Sequence, residues 1–172
     1  MICLGVDPGN ATAWAIVEAL GGSCKALACG LGALEALDWN ATPRPACAIV
    51  EVPRVYPGSK VDPNDLITLA LSAGDAIGFF RYRLRFEAAR SPRLSVGTFA
   101  QVYPSDWKGQ IPKPAKTVAA LAPNGYIVAK RIATRCHDSA HLTGLLRLAP
   151  SLEHNVWDAI GIAMHGLGFT VK

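Results

Sequence analysis

The sequence predicts an α/β domain on a mixed five-stranded sheet, antiparallel hairpin strands first and parallel strands after them, flanked by helices. Three observations predict it. Short apolar runs separated by turn signals crowd the first fifty residues. Strand and helix patterns alternate after that point. Two of the apolar runs, Ile2 to Val6 and Ala46 to Val50, are each followed at once by a carboxylate, Asp7 and Glu51. The 172 residues show no internal repeat and no domain boundary, so one domain, 1–172, is expected.

Taken in order, Ile2 to Val6 reads as a short strand, and Asp7-Pro8-Gly9-Asn10 turns the chain sharply. Ala11 to Glu18 alternates as the returning strand of a hairpin, Gly21-Gly22 makes a second turn, and Cys24 to Leu31 reads as a third strand. Gly32 to Leu37 reads as a short helix, closed by a loop from Asn40 to Pro45. Ala46 to Val50 is continuously apolar, as a central strand covered on both faces must be. After the loop from Pro53 to Pro57, the polar cluster Asp62-Pro63-Asn64-Asp65 caps a helix from Leu66 to Leu84. That helix, the longest, spaces Leu66, Leu69, Ala70, Ala73, Ile77 and Phe80 for one buried face. Leu94 to Val102 is a fifth strand, and Trp107 to Gly125 a long Pro/Gly-rich loop. Ile127 to Cys136 and Ser139 to Leu148 look helical, and Asn155 to Leu167 is the last helix.

The composition is 51% hydrophobic and 17% charged, which excludes a disordered chain. No apolar run has the length of a membrane span, and no basic segment precedes the first apolar residues, so neither a membrane protein nor a signal peptide is expected. Five cysteines form no CxxC pair; Cys3 and Cys47 fall in strand patterns and read as buried, reduced thiols of a cytoplasmic protein. The net charge of +4 permits a nucleic-acid partner without requiring one.

A carboxylate at the end of a buried strand is costly to desolvate unless something positive meets it. Asp7 and Glu51 occupy such places, and Asp158, near the start of the last helix, is a third. One shared metal site and metal-dependent phosphoryl transfer are the chemistry to which this pattern points. Read alone, Asp7 is a turn-forming residue before Pro-Gly; the metal reading draws on all three.

The residues also carry a family resemblance. Gly5-Val6-Asp7-Pro8-Gly9-Asn10 resembles the opening of the RuvC family of Holliday junction resolvases, within the RNase H-like superfamily. Ile49-Val50-Glu51 resembles the family's second acidic strand, and His154 to Ala163 its final catalytic helix. Pro104 to Lys113 looks like a segment of phage-borne members. The blocks span nearly the whole chain in the right order. The resemblance implies an RNase H-like fold and an endonuclease that resolves four-way DNA junctions by paired symmetric nicks. It implies a homodimer and two Mg²⁺ per active site, with Mn²⁺ as a substitute and no small-molecule cofactor. In such a site two ions about 4 Å apart activate the attacking water and stabilise the leaving 3′ oxygen, and hard cations of this kind take oxygen ligands.

Asp7, Glu51 and Asp158 are then the metal ligands and catalytic residues. The family's fourth ligand falls three residues before the last acid, where this chain has Asn155, with His154 one residue earlier; both share a helix face with Asp158 and both are candidate ligands. The alternative is that they cap the helix start. Lys108 and Lys113 resemble the family's active-site lysines, with Lys116 and Lys130 as alternatives; any one of them reads equally well as a solvated lysine. Trp107 is read as a packing residue beneath Lys108. Arg54 and Tyr56 occupy the place where the family sends an aromatic into the junction centre, and Arg54 stands at the aromatic position itself. Arg81, Arg83 and Arg85, with Arg90 and Arg93 beyond them, form a basic stretch for phosphate contacts or a solvated helix end. Small residues Ala70, Ala73, Gly74 and Gly78 allow close helix approach, for a dimer or for packing on the sheet.

Other readings are weaker. Zinc at Cys136, His137 and His141 lacks a second Cys/His pair. A sugar kinase or other actin-like ATP-binding fold would need a second phosphate loop and a longer chain. An RNase H-like nuclease for other branched or hybrid substrates, or a silent junction-binding module, differs from the resolvase in substrate or in activity.

Overall fold

The computed structural model describes residues 1–9, 11–37, 39, 43–55, 62–90, 98–109, 131–132 and 150–171, with the backbone alone at 36, 83–90 and 150–153. Five strands form one sheet: β1 (Ile2–Asp7), β2 (Ala13–Leu20), β3 (Ser23–Leu31), β4 (Cys47–Glu51) and β5 (Thr98–Val102), in the order β3-β2-β1-β4-β5. β1 pairs antiparallel with β2, and β2 with β3, while β4 runs parallel to both β1 and β5. Among the described residues the helices are α1 (Pro63–Arg90), a four-residue α2 (Pro104–Trp107) and α3 (Pro150–Gly166), beside a helical pair at residues 131–132 and a 3₁₀ turn at Leu34–Ala36. This is the mixed five-stranded sheet that the sequence predicts, with antiparallel hairpin strands first and parallel strands after them.

Strand alternation assigns each residue to a face. Cys3, Cys47 and Ile49 pack with Val156, Trp157, Ile160 and Ala163 of α3. Leu4, Val6, Ala48 and Val50 pack on the other side with Ala76 and Phe80 of α1. The sheet is therefore sandwiched, α3 on one face and α1 on the other. Continuing the alternation one step past Val6 and Val50 turns Asp7 and Glu51 toward the α3 face.

α3 comes very close to the sheet because β1 offers it a glycine. A Cβ on Gly5 would overlap the carbonyl oxygen of Ala159 and the backbone nitrogen of Ala163. The helix ends in a Schellman motif: Phe169 N–H donates to Met164 O (3.0 Å), Gly168 N–H donates to His165 O (2.9 Å), and Gly168 takes a φ of 86°.

Several boundaries move. β1 and β4 run one residue further, so Asp7 and Glu51 belong to the ladder, opposite Ala13 and Val102. The second strand covers Ala13–Leu20, because the turn after Asp7 is longer than a tight hairpin needs. The expected helix over Gly32 to Leu37 is only the three-residue turn. α1 starts at Pro63 and continues to Arg90, and its buried face carries Ala73, Ala76 and Phe80, whereas Ala70 is exposed. Only Thr98–Val102 of the fifth strand lies among the described residues, and the helices expected over Ile127 to Leu148 fall almost entirely outside them. The four described cysteines, Cys3, Cys24, Cys29 and Cys47, form no disulfide, and Cys3 and Cys47 are buried side by side in the β1–β4 register.

Gly5→Ala is expected to lower the unfolding free energy by about 2–3 kcal/mol, since the added methyl meets backbone that no rotamer change can move. Urea denaturation followed by circular dichroism measures it.

Candidate active site

Asp7 and Glu51 end adjacent parallel strands and face α3, from which Asp158 points back into the core. All three carboxylates are buried: Asp7 is 6%, Glu51 8% and Asp158 0% exposed. The group that meets them is Lys108, itself 5% exposed. Its ammonium donates a hydrogen bond to Asp158 Oδ2 at 2.7 Å and lies 3.8 Å from Glu51 Oε2. Burial draws the Lys108 pKa down, but Asp158, Glu51 and Asp7 together outweigh it, so the net shift is upward. A lysine raised in this way is fully charged below the ordinary lysine range, and its contribution to stability is lost only at more alkaline pH. Lys108 is thus a cation throughout the neutral range.

The local sequence explains how a lysine reaches that depth. Pro104 begins α2, where the missing N–H costs nothing. Asp106 Oδ2 accepts the Tyr103 backbone N–H at 3.0 Å and fixes the start of the turn. Lys108 N–H donates to Pro104 O at 3.1 Å, and Gly109 leaves the helix with a φ of 66°. The next requirement is met by Gly161 of α3, where a Cβ would overlap the Trp107 ring. Trp107 sinks fully into that hollow and brings Lys108 with it.

Trp107 is more than packing. Its indole Nε1–H donates to Glu51 Oε2 at 2.6 Å, and the Lys108 ammonium sits 4.7 Å from its ring centroid. The last residue of one short helix and the residue that caps it therefore hold two of the three carboxylates. Sequence reasoning placed Trp107 beneath Lys108 but missed this bond. The available signal was a large residue carrying one polar N–H inside an apolar core, which needs an acceptor.

The other candidates divide. His154 and Asn155 are half-buried on α3, four and three residues before Asp158. Because α3 begins at Pro150, they lie in its second turn and do not cap it. Arg54 is exposed, with its guanidinium 5.3 Å from the Tyr103 ring centroid, beside the start of α2. Arg81 is exposed on α1, across the sheet from the carboxylates, so it does not join them. Arg83 and Arg85 follow on the same helix with side chains outside the described residues. Tyr56, Lys113, Lys116, Lys130, Arg93 and the Cys136, His137 and His141 cluster also lie outside the described residues.

In donor chemistry the three carboxylates suit a hard divalent cation, which prefers carboxylate oxygens. In geometry, no group of three or more His, Cys, Asp or Glu among the described residues forms a ready cation cage. The positive charge among the carboxylates is the Lys108 ammonium.

The fold and this constellation define a mixed five-stranded α/β sheet with a buried carboxylate–lysine centre at the ends of its two inner parallel strands. No protein-family model and no curated protein sequence matches the chain. Among solved structures, RuvC of Thermus thermophilus is similar over 98% of this chain and 97% of its own, at 17% identity and a TM-score of 0.42. T. thermophilus RuvC in complex with a Holliday junction substrate is similar over 98% and 96%, at 17% identity and a TM-score of 0.46.

Trp107→Phe keeps the ring in its hollow and deletes only the donor to Glu51. It is expected to cost about 1–3 kcal/mol of stability, the usual penalty for removing one partner of a buried hydrogen bond. Thermal and urea unfolding against wild type measure it.

Proposed function

We propose that this chain is a Mg²⁺-dependent endonuclease that resolves four-way DNA junctions. The observation that carries the proposal is the convergence of Asp7, Glu51 and Asp158 around Lys108 at the ends of the inner parallel strands of the sheet. The ordered sequence blocks around those residues, which resemble the RuvC family, choose the substrate class.

Asp7, Glu51 and Asp158 would hold the divalent ions, with Asn155 or His154 supplying a further donor from the preceding turn of α3. Bound there, two such ions supply an activated water and stabilise the leaving 3′ oxygen. The protein's own part is positioning. Trp107 fixes the Glu51 carboxylate through its N–H, and burial keeps bulk water from the carboxylates. The flexible Lys108 side chain brings a positive charge within reach of a phosphate bound beside the carboxylates. Arg54 stands exposed at the exit of β4, where a DNA phosphate can reach it. In-line hydrolysis would leave 5′-phosphate and 3′-hydroxyl ends.

Paired nicks need two such sites related by a two-fold axis, and α1 has a face suited to forming the homodimer. Ile67, Leu71 and Tyr82 are 58%, 66% and 61% exposed, and the intervening Gly74 and Gly78 open onto empty space. Two copies crossing antiparallel would set the Ile67 end of one helix against the Tyr82 end of the other, with the glycines at the crossing. It lies on the sheet face away from the carboxylates, which leaves both sites open to DNA.

Asp7→Asn is expected to retain binding of a four-way junction in a gel-shift assay while cleavage in Mg²⁺ drops by at least about a hundredfold. Near wild-type cutting by that variant removes the assignment. A flap and an RNA–DNA hybrid, assayed in parallel, distinguish a junction resolvase from other RNase H-like nucleases. Leu71→Glu, which puts a charge on the most exposed apolar residue of the α1 stripe, is expected to convert dimers to monomers in analytical ultracentrifugation.

A further inference from the structure

The Lys108 ammonium occupies the position that gives the carboxylate centre its positive charge. It is 2.7 Å from Asp158 Oδ2 and 3.8 Å from Glu51 Oε2. A Mg²⁺ ion takes carboxylate oxygens at about 2.0–2.1 Å and draws its ligands inward. The carboxylates spread around an ammonium are set for a larger, singly charged partner, in agreement with the lack of a ready cage among the described residues. Two cations within about 3–4 Å of each other, in a site shielded from water, repel strongly. The ammonium and a divalent ion on Asp158 therefore exclude one another.

We infer that Lys108 is the resident counter-ion of the metal-free site, and that a divalent ion enters by exchange with it on Asp158. Lys108 thereby sets the affinity of the site for divalent ions. The inference rests on the metal-site reading above and adds to it a competitor within the chain. The backbone can stay where it is during the exchange. Trp107 is anchored by Glu51 and by the hollow at Gly161, so the flexible Lys108 side chain is the part free to swing. The exchange also removes a cation from the face of the Trp107 ring.

The test uses the full chain without DNA. Lys108→Met removes the competing charge and keeps a stem of similar length. Isothermal titration with Mg²⁺ is expected to show at least about tenfold tighter binding than wild type, the worth of one charge-assisted hydrogen bond no longer broken on entry. Lys108→Arg, which keeps the charge, is expected to stay near wild type. Wild type that binds Mg²⁺ while Lys108→Met binds no more tightly overturns the exchange and leaves the metal site standing. If neither wild type nor Lys108→Met binds Mg²⁺ or Mn²⁺, the metal-site reading falls, and the exchange with it. Wild type also gives an answer that needs no variant. The buried Lys108 ammonium should give its own proton–nitrogen NMR cross-peak, bonded to Asp158, which saturating Mg²⁺ should abolish. Persistence of that cross-peak at saturation overturns the proposal even if Lys108→Met does not fold.

Discussion

The bond between Lys108 and Asp158 is the constraint to which the rest of the centre answers. A carboxylate with no exposed surface is tolerable only if a charge or strong donors meet it. Removing one partner from a buried ion pair costs roughly 3–5 kcal/mol, because the other is left buried and uncompensated. The short helix before Lys108 exists to make that meeting possible. Pro104 starts it, Asp106 fixes its first turn, Gly109 ends it, and Trp107 drives it into α3 at Gly161. A side chain at 161 would push Trp107 out. The ammonium would then withdraw from Asp158, and the indole from Glu51.

The sheet supplies the other half of the arrangement. β1 and β4 are parallel neighbours, so their ends lie side by side, and alternation sends Asp7 and Glu51 to the same face. That face is covered by α3, and Gly5 lets the helix lie close enough for Asp158 to reach the strand ends. The same alternation sends Leu4, Val6, Ala48 and Val50 to the α1 side, where they pack around Phe80. Both faces carry an apolar core, and the carboxylate centre lies on the α3 face.

How much of this was legible followed the range of each interaction. Apolar runs ending in Asp7 and Glu51 announced strands and carboxylates together, because the cost of burying such a charge is written into its neighbours. The five-stranded mixed sheet followed from the order of those runs. The boundaries were less legible: Asp7 and Glu51 prove to be ladder residues because Ala13 and Val102 lie opposite them, and pairing across the sheet is not a local signal. Asn155 and His154 suggested a cap by their type, yet the helix already runs from Pro150, whose fixed φ suits a first turn. The bond from Trp107 to Glu51 joins residues 56 apart, and no local pattern encodes it. The exposed stripe of α1 was hidden for a related reason. Helical spacing shows which residues share a face, but only the packed sheet shows that Ile67 and Leu71 fall on the outer one.

Charge balance gives a reason for the neutral residue at 155. Three carboxylates already converge on one ammonium, and each further buried anion would add desolvation cost and like-charge repulsion. Asn155, one turn before Asp158 and half-buried, offers a carbonyl oxygen and two N–H donors on the same helix face without adding charge. A fourth acid there would add a like charge one helical turn from Asp158. With an amide in its place, Asp158 keeps the ammonium. The chain can then fold its acidic centre with a cation of its own.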